Sequence, residues 1–352
     1  MASVSGARSN AILKVASTWG TAVSGGAGNK LKAEITPNFN VDELQARQIG
    51  SGIPMTQFVT RGNLKPTVGI KMDGGYRNGM DYQIAAFMGT AGAPTEQTAS
   101  QADYKHTITF NTALNAKYVT LAYDSGSATV VEFPTCAVRN INFAIQDAPG
   151  ILEFSSELLA NNVAGGSMAS ATNTNGSMAS ATATDTETIN YAFEDLFRIN
   201  TASGATLSGS DNYSITGYNL TLTRPQEIMG EIKGSAGNGA PVETGLFEGT
   251  LQVTVKELAD HTYFGYWYNE TALKCSLNIQ GTQIGSGVNK AITIYIPRMI
   301  LVQEPQYALT SEGINALTMT FRIIAATSNP SGMSSVYPYF EIINGLSTSL
   351  LA

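Results

Sequence analysis

Three acidic pairs come closest to a catalytic arrangement: Asp42 with Glu43, Glu194 with Asp195, and Glu227 with Glu231. A glycosidase needs only two carboxylates, one to protonate the leaving oxygen and one to attack or to activate water. Each pair here falls in a polar stretch or at a segment edge, where solvated charge is the simpler reading. His106 and His261 are the only histidines. His106 alternates with Ile108 and Phe110, the pattern of a histidine packed in a strand. His261 sits beside Asp260 among aromatics and reads as packed or interfacial. Two lone histidines without flanking cysteines do not make a zinc site. The chain has no nucleophile elbow, no phosphate-binding loop, no dinucleotide-binding glycine pattern and no H-E-x-x-H. The expectation is a protein without catalytic residues, cofactor or metal.

The aromatic cluster Tyr263, Phe264, Tyr266, Trp267 and Tyr268 has two readings. It could stack sugars, which would make the chain a surface-displayed β-sandwich adhesin or carbohydrate-binding module. It could equally be a core or a subunit interface, where aromatics concentrate. Cys136 opens an apolar strand, and Cys275 shares a face with Leu273, Leu277 and Ile279. Both read as small buried hydrophobes, and spacing alone does not decide whether they pair.

The elements that would carry these residues are mostly strands. With 43% apolar residues the chain should fold, but only 13% are charged, against about 25% in an average soluble domain. A skin so poor in charge suits a protein that lies against other protein over much of its area. Acidic residues outnumber basic ones by 27 to 20, for a net charge of −7. That balance, without a Lys/Arg cluster, argues against stable nucleic-acid binding. The first twenty residues lack a hydrophobic signal core, and no apolar run approaches the ~20 residues of a membrane span. The expected product is soluble, made in the cytoplasm and carried out, if at all, inside a particle.

One pattern occurs twice. Residues 133–158, FPTCAVRNINFAIQDAPGILEFSSEL, align with 296–321, IPRMILVQEPQYALTSEGINALTMTF, at a single offset of 163. In both, an apolar residue and a proline (Pro134, Pro297) open an apolar strand. A turn follows, and a Gly-Ile pair then starts an alternating strand. Around each copy the order is strand, long polar stretch, strand, helix-like piece, two strands, then this unit. The predicted fold is mainly β, with two tandem β-sandwich or barrel-like domains, each with a short flanking helix.

The first helix is predicted within 76–88, with Met80, Ile84, Phe87 and Met88 on one stripe and Gly89 as its stop. Polar loops are expected over 37–62 and 223–249. The predicted boundaries are an arm over 1–30 anchored by Trp19, a first domain over 31–160 and a second over 188–326. Residues 161–187, with GSMASAT twice, are expected to be a linker or loop that builds no core. A second arm, 327–352, carries Tyr337 and Phe340 as anchors.

Several of these stretches resemble the tail tube proteins of long-tailed bacteriophages, in the version with the tube domain duplicated in one polypeptide. The likeness rests on LKVASTWGT (13–21), on NVDELQARQIG, TRGNLKPTVGIKM and YQIAAFMGT between 40 and 90, and on the closing strands of each half. It covers most of residues 11–325. The resemblance implies a virion protein whose domains close sixfold rings, so that three chains would make a pseudo-sixfold homotrimer. Stacked rings would form a tube through which DNA passes as a transient passenger. Tape measure, tail terminator and distal tail proteins would be its partners. By analogy with the family's long loop, Asp42, Glu43, Arg47, Glu227, Glu231, Lys233 and Glu243 are candidates for contacts between rings or subunits. A different tubular or particle protein would obey the same physics.

Overall fold

The computed structural model describes residues 10–45, 59–113, 117–124, 129–146, 149–165, 170–183, 185, 187–229, 238–255, 261–305 and 317–351. The protein is mainly β, dominated by one large antiparallel sheet. Strands β1 (Ala11–Ala16), β2 (Glu34–Gln45) and β3 (Val59–Asp73) precede helix α1 (Met80–Met88). Short β4 (Gly89–Ala91) and β5 (Thr95–Glu96) lead to β6 (Tyr104–Phe110), β7 (Tyr118–Asp124), β8 (Val130–Ile145) and β9 (Glu153–Ala160). After helix α2 (Asn175–Ser180) come β10 (Glu194–Thr201), β11 (Gly217–Thr223), and the two-residue strands β12 (Gln226–Glu227) and β13 (Val242–Glu243). Then follow β14 (Glu248–Val255), helix α3 (Thr262–Tyr268), β15 (Leu273–Gly285), β16 (Val288–Leu301), β17 (Leu317–Ile323) and β18 (Tyr339–Asn344).

The order of strand neighbours recurs. In the first half β1 pairs with β7, then β8, β9, β3 and β2 follow across the sheet. In the second half β10 pairs with β15, followed by β16, β17, β14 and β11. β8 and β16 therefore hold matching places, and so do their prolines. The β7–β8 ladder slips between Leu121↔Phe133 and Val119↔Cys136, leaving one extra residue on β8 at Pro134. The β15–β16 ladder slips the same way between Cys275↔Ile296 and Leu273↔Met299, at Pro297. A proline has no N–H to give to a ladder, so a bulge is where a central strand tolerates one.

Two expectations change. Polarity suggested a loop over 37–62, but β2 runs on to Gln45 and β3 begins at Val59, so much of this stretch is the two legs of a long hairpin. Period-two side chains continue through Phe39 and Val41; Pro37, a strand breaker on paper, sits where β3 is the one neighbour among the described residues. The segment 161–187 does contribute core. Met178 is fully buried with Ile12, Ala122, Val130 and Ala181. A capping box between Thr174 and Ser177 starts the turn of helix that presents it. The buried Glu132 carboxylate accepts from the backbone N–H of Thr172 and Asn173 and from the Asn173 side chain at 2.7–2.9 Å. Further on, Lys290 Nζ bridges Asp185 and Glu187 at 2.9 and 2.8 Å, tying the segment to the second half.

Helix α1 lies within the predicted span and stops at Gly89, whose φ of 84° is the left-handed conformation that glycine adopts without steric cost. The last strand, β18, is inserted between β16 and β6, and so stitches the halves together.

Candidate assembly interface

The two halves meet along a strand seam. Residues 140–145 of β8 pair antiparallel with 218–223 of β11. Leu220 and Leu222 pack beneath it with Phe143 and Ile141 opposite, all essentially without exposure. On the other face, Asn142 Nδ2 donates to Asn219 Oδ1 and Thr221 Oγ1, and Asn140 Nδ2 donates to Thr223 Oγ1, at 2.5–2.8 Å. Backbones come close here: a Cβ at Gly217 would lie 2.3 Å from the Gln146 carbonyl oxygen. Glycine is the residue that permits that approach.

Beyond the seam, the chain leaving β11 fills a groove between α1 and β8. The Arg224 backbone N–H donates to the Arg139 carbonyl at 2.9 Å. Its guanidinium lies over the Phe110 ring, donates to the Asn111 carbonyl at 3.1 Å and pairs with Glu243 at 2.5 Å. Phe247 from the same connection packs on Phe87 of α1 and on Phe110. Covered in this way, α1 buries eight of its nine residues.

The matching surface of the second half is more open among the described residues. α3 buries only Tyr263. Trp267 and Tyr268 face the end of β16, around Ile300, Leu301 and Val302. Tyr268 is 74% exposed and Val302 51%. Of the aligned positions on β8, Ala137 and Val138 line the groove with α1 and the connection from β11, and the Arg139 carbonyl accepts from Arg224. β2, which matches β11, has β3 on one side and no pairing strand on the other among the described residues. Phe39 aligns with Leu222 through the shared ladders and is 47% exposed, where Leu222 is 0% exposed.

This arrangement is all surface complementarity. The described residues hold no cluster of His, Cys, Asp or Glu able to grip a metal. His106 is buried with Nε2 3.0 Å from the Leu346 carbonyl, and burial lowers its pKa. His261 is exposed at the start of α3. Cys136 and Cys275 are free and buried, and burial pushes both thiols far up. Asp81 in α1 is buried, and desolvation raises its carboxyl to about 6 despite Arg77 at 3.9 Å.

A family model for phage tail tube proteins matches residues 6–331, nearly the whole chain. The chain belongs to the phage tail tube family. No curated protein matches it. The tail tube chain is thus a structural component of the virion tail. No helix among its described residues is long and apolar enough to cross a membrane.

The anchor residues named from sequence lie where the tail tube chain joins its halves. Trp19 Nε1 donates to the Asn238 carbonyl at 2.8 Å, and its ring tilts against Tyr118 at 4.9 Å. Tyr337 sits 5.4 Å from Phe110, and Phe340 is fully buried in β18 against Phe143. Of the proposed contact residues, Glu243 already pairs with Arg224, and Glu227 is exposed on β12. Asp42 and Glu43 fall on β2, with side chains outside the described set; Arg47, Glu231 and Lys233 lie outside the described residues. Of the pair Glu194 and Asp195, the backbone lies in β10. Sequence reasoning passed over Phe39, Val41, Arg224 and Val302. The period-two pattern continuing past Pro37 was the signal for the first two; only the fold brings the others to a seam.

Proposed function

We propose that three copies of this chain close a pseudo-sixfold ring, and that such rings stack into the tail tube, a passive conduit for the viral genome. The reading treats the chain as two copies of one tube domain. Its carrying observation is the seam between β8 and β11. The chain joins its own two halves by strand pairing, and among the described residues the recurring topology leaves the corresponding edge, β2, without a second partner. An open strand edge is a template for pairing with another chain, and closing a ring removes it. Three internal seams alternating with three between copies would complete the circle.

Passage of DNA calls for a wall that does not hold it. Duplex DNA carries about one negative charge per 1.7 Å, and a chain of net charge −7 offers no basic track. Contacts between rings are assigned to the β2–β3 hairpin and the 223–249 connection, with Asp42, Glu43, Arg47, Glu227, Glu231 and Lys233 as the pairing charges; Glu243 is held within the chain by Arg224. Native mass spectrometry and negative-stain microscopy of the purified protein test the reading. Rings or tubes with a central hole, built from multiples of three chains, are expected. A protein that stays monomeric at high concentration and in assembled particles occupies some other position would overturn it.

A further inference from the structure

We infer that the open groove between α3 and the end of β16 receives the β2 edge of a second copy, with Val41 and Phe39 as the inserted side chains. This rests on the ring reading above and names the surfaces that would close the ring. The argument uses the chain as its own template. In the first half, the groove between α1 and β8 is filled by residues leaving β11: Arg224 reaches the Arg139 carbonyl, and Phe247 covers Phe87. The offset of 163 carries Arg139 to Val302. The shared ladders carry Arg224 to Val41 and Leu222 to Phe39, because Leu251 and Leu220 face each other as Val68 and Pro37 do.

The surfaces this correspondence brings together both keep apolar area open, although Phe39 already stacks on Phe133 at 6.1 Å within its own chain. Val302 and Tyr268 are exposed on the groove, and Phe39 and Val41 are exposed on the strand. Exposed aliphatic and aromatic residues facing one another by symmetry are what an interface core requires. The occupants also differ in chemistry. Inside the chain the inserted residue is an arginine held by Glu243 and a backbone carbonyl; between copies it would be a valine. The inserted side chain is therefore apolar, although Glu270 and Arg322 also line the groove, and this contact should be less sensitive to salt than an ion-paired one.

The test is a cysteine pair, Val41→Cys with Val302→Cys. The internal counterparts are joined by a backbone hydrogen bond of 2.9 Å, which brings their Cα atoms within disulfide range. Both positions are exposed in the single chain, so folding should survive, and the two native cysteines are buried away from oxidant. Oxidised rings or tubes should give a non-reducing gel ladder that ends at three chains, and each single-cysteine variant should run as monomer. Tubes that form normally but yield no cross-linked species would overturn the groove assignment and leave the ring reading standing. Failure of the unmodified protein to form rings under any condition would remove both. A Val302→Lys variant adds a second measurement: it should stay folded by circular dichroism yet lose rings, and retention of rings would count against the groove.

Discussion

Strands β11 and β2 hold the same place in the two halves of this tail tube chain, with opposite surroundings. β11 runs between β14 and β8, and its apolar side chains are buried. Among the described residues β2 has only β3 beside it, and Phe39, stacked on the buried Phe133 along one side, leaves about half its surface open, as Val41 leaves about a third. The helices divide in the same way, α1 enclosed and α3 with only Tyr263 fully buried and Tyr266 and Trp267 half-covered. The difference follows from what lies next to each element. It teaches that exposure of an apolar strand in an isolated subunit is a statement about a missing neighbour. Fully burying a side chain such as Phe39 is worth about 1.5–3 kcal/mol, and with 47% of its surface still exposed roughly half of that gain is left for assembly.

The comparison can be broken most directly at its two central residues. Leu222→Ala should cost about 2–5 kcal/mol of subunit stability, as expected for a cavity under a buried seam. Phe39→Ala, which loses the stack on Phe133 but opens no cavity in the core, should cost only about 0.5–1.5 kcal/mol, while weakening ring formation. Chemical denaturation of both variants beside an assembly assay checks the contrast; equal losses of stability would erase it. Next in size is Arg224→Ala. It removes a guanidinium that is 3% exposed together with its bonds to Glu243 and Asn111, at a cost of about 1–3 kcal/mol. Raised salt should mimic only a small part of this, because the pair is largely shielded from solvent.

A smaller effect separates α1 from α3 by pH. The Asp81 carboxyl is held near 6 when folded and titrates near 3.8 when unfolded, so the folded state binds the proton more tightly. Its contribution to stability grows as pH falls through 6 and declines as pH rises through it. Between pH 7 and 5 the wild type should gain about 1 kcal/mol relative to Asp81→Asn, read as a rise of its thermal midpoint relative to the variant's. A constant gap would show that the carboxyl is not the titrating group. The least effect on the subunit itself is expected from Tyr268→Ser, about 0.5 kcal/mol or less. Its consequence should be confined to assembly, and a large drop in melting temperature would mean α3 is less open than described.

Much of the scaffold was legible because strands advertise themselves by alternation. β14 buries Leu251, Val253 and Val255 as its pattern required, and α1 ends at Gly89. The two prolines were legible as a matched pair but were read as opening their strands; they lie inside β8 and β16, at bulges where a ladder gives way for want of an N–H. The hairpin legs of β2 and β3 were hidden by polar side chains, which a strand with one free edge and one wet face accepts freely. Met178 was hidden by its Ser/Ala-rich surroundings; a buried carboxylate on another strand, Glu132, organises that turn, and no local pattern reports it. The interface residues were the least visible. Arg224 and Phe247 gain meaning only from Phe110 and Phe87, more than a hundred residues away. The charged candidates drew attention because ions are conspicuous in a chain with so few, whereas the seam itself is built from leucine, asparagine and threonine.

The two cysteines have a consequence for how such a particle ages. Both sulfurs are sealed in separate strands, and burial holds them as neutral thiols, the form that reacts slowest with peroxide or dissolved oxygen. A virion left outside its host in aerated water should therefore neither stiffen by stray cross-bridges nor lose subunits to sulfur damage at these sites. A thiol-reactive dye should find nothing to label until the chain is unfolded.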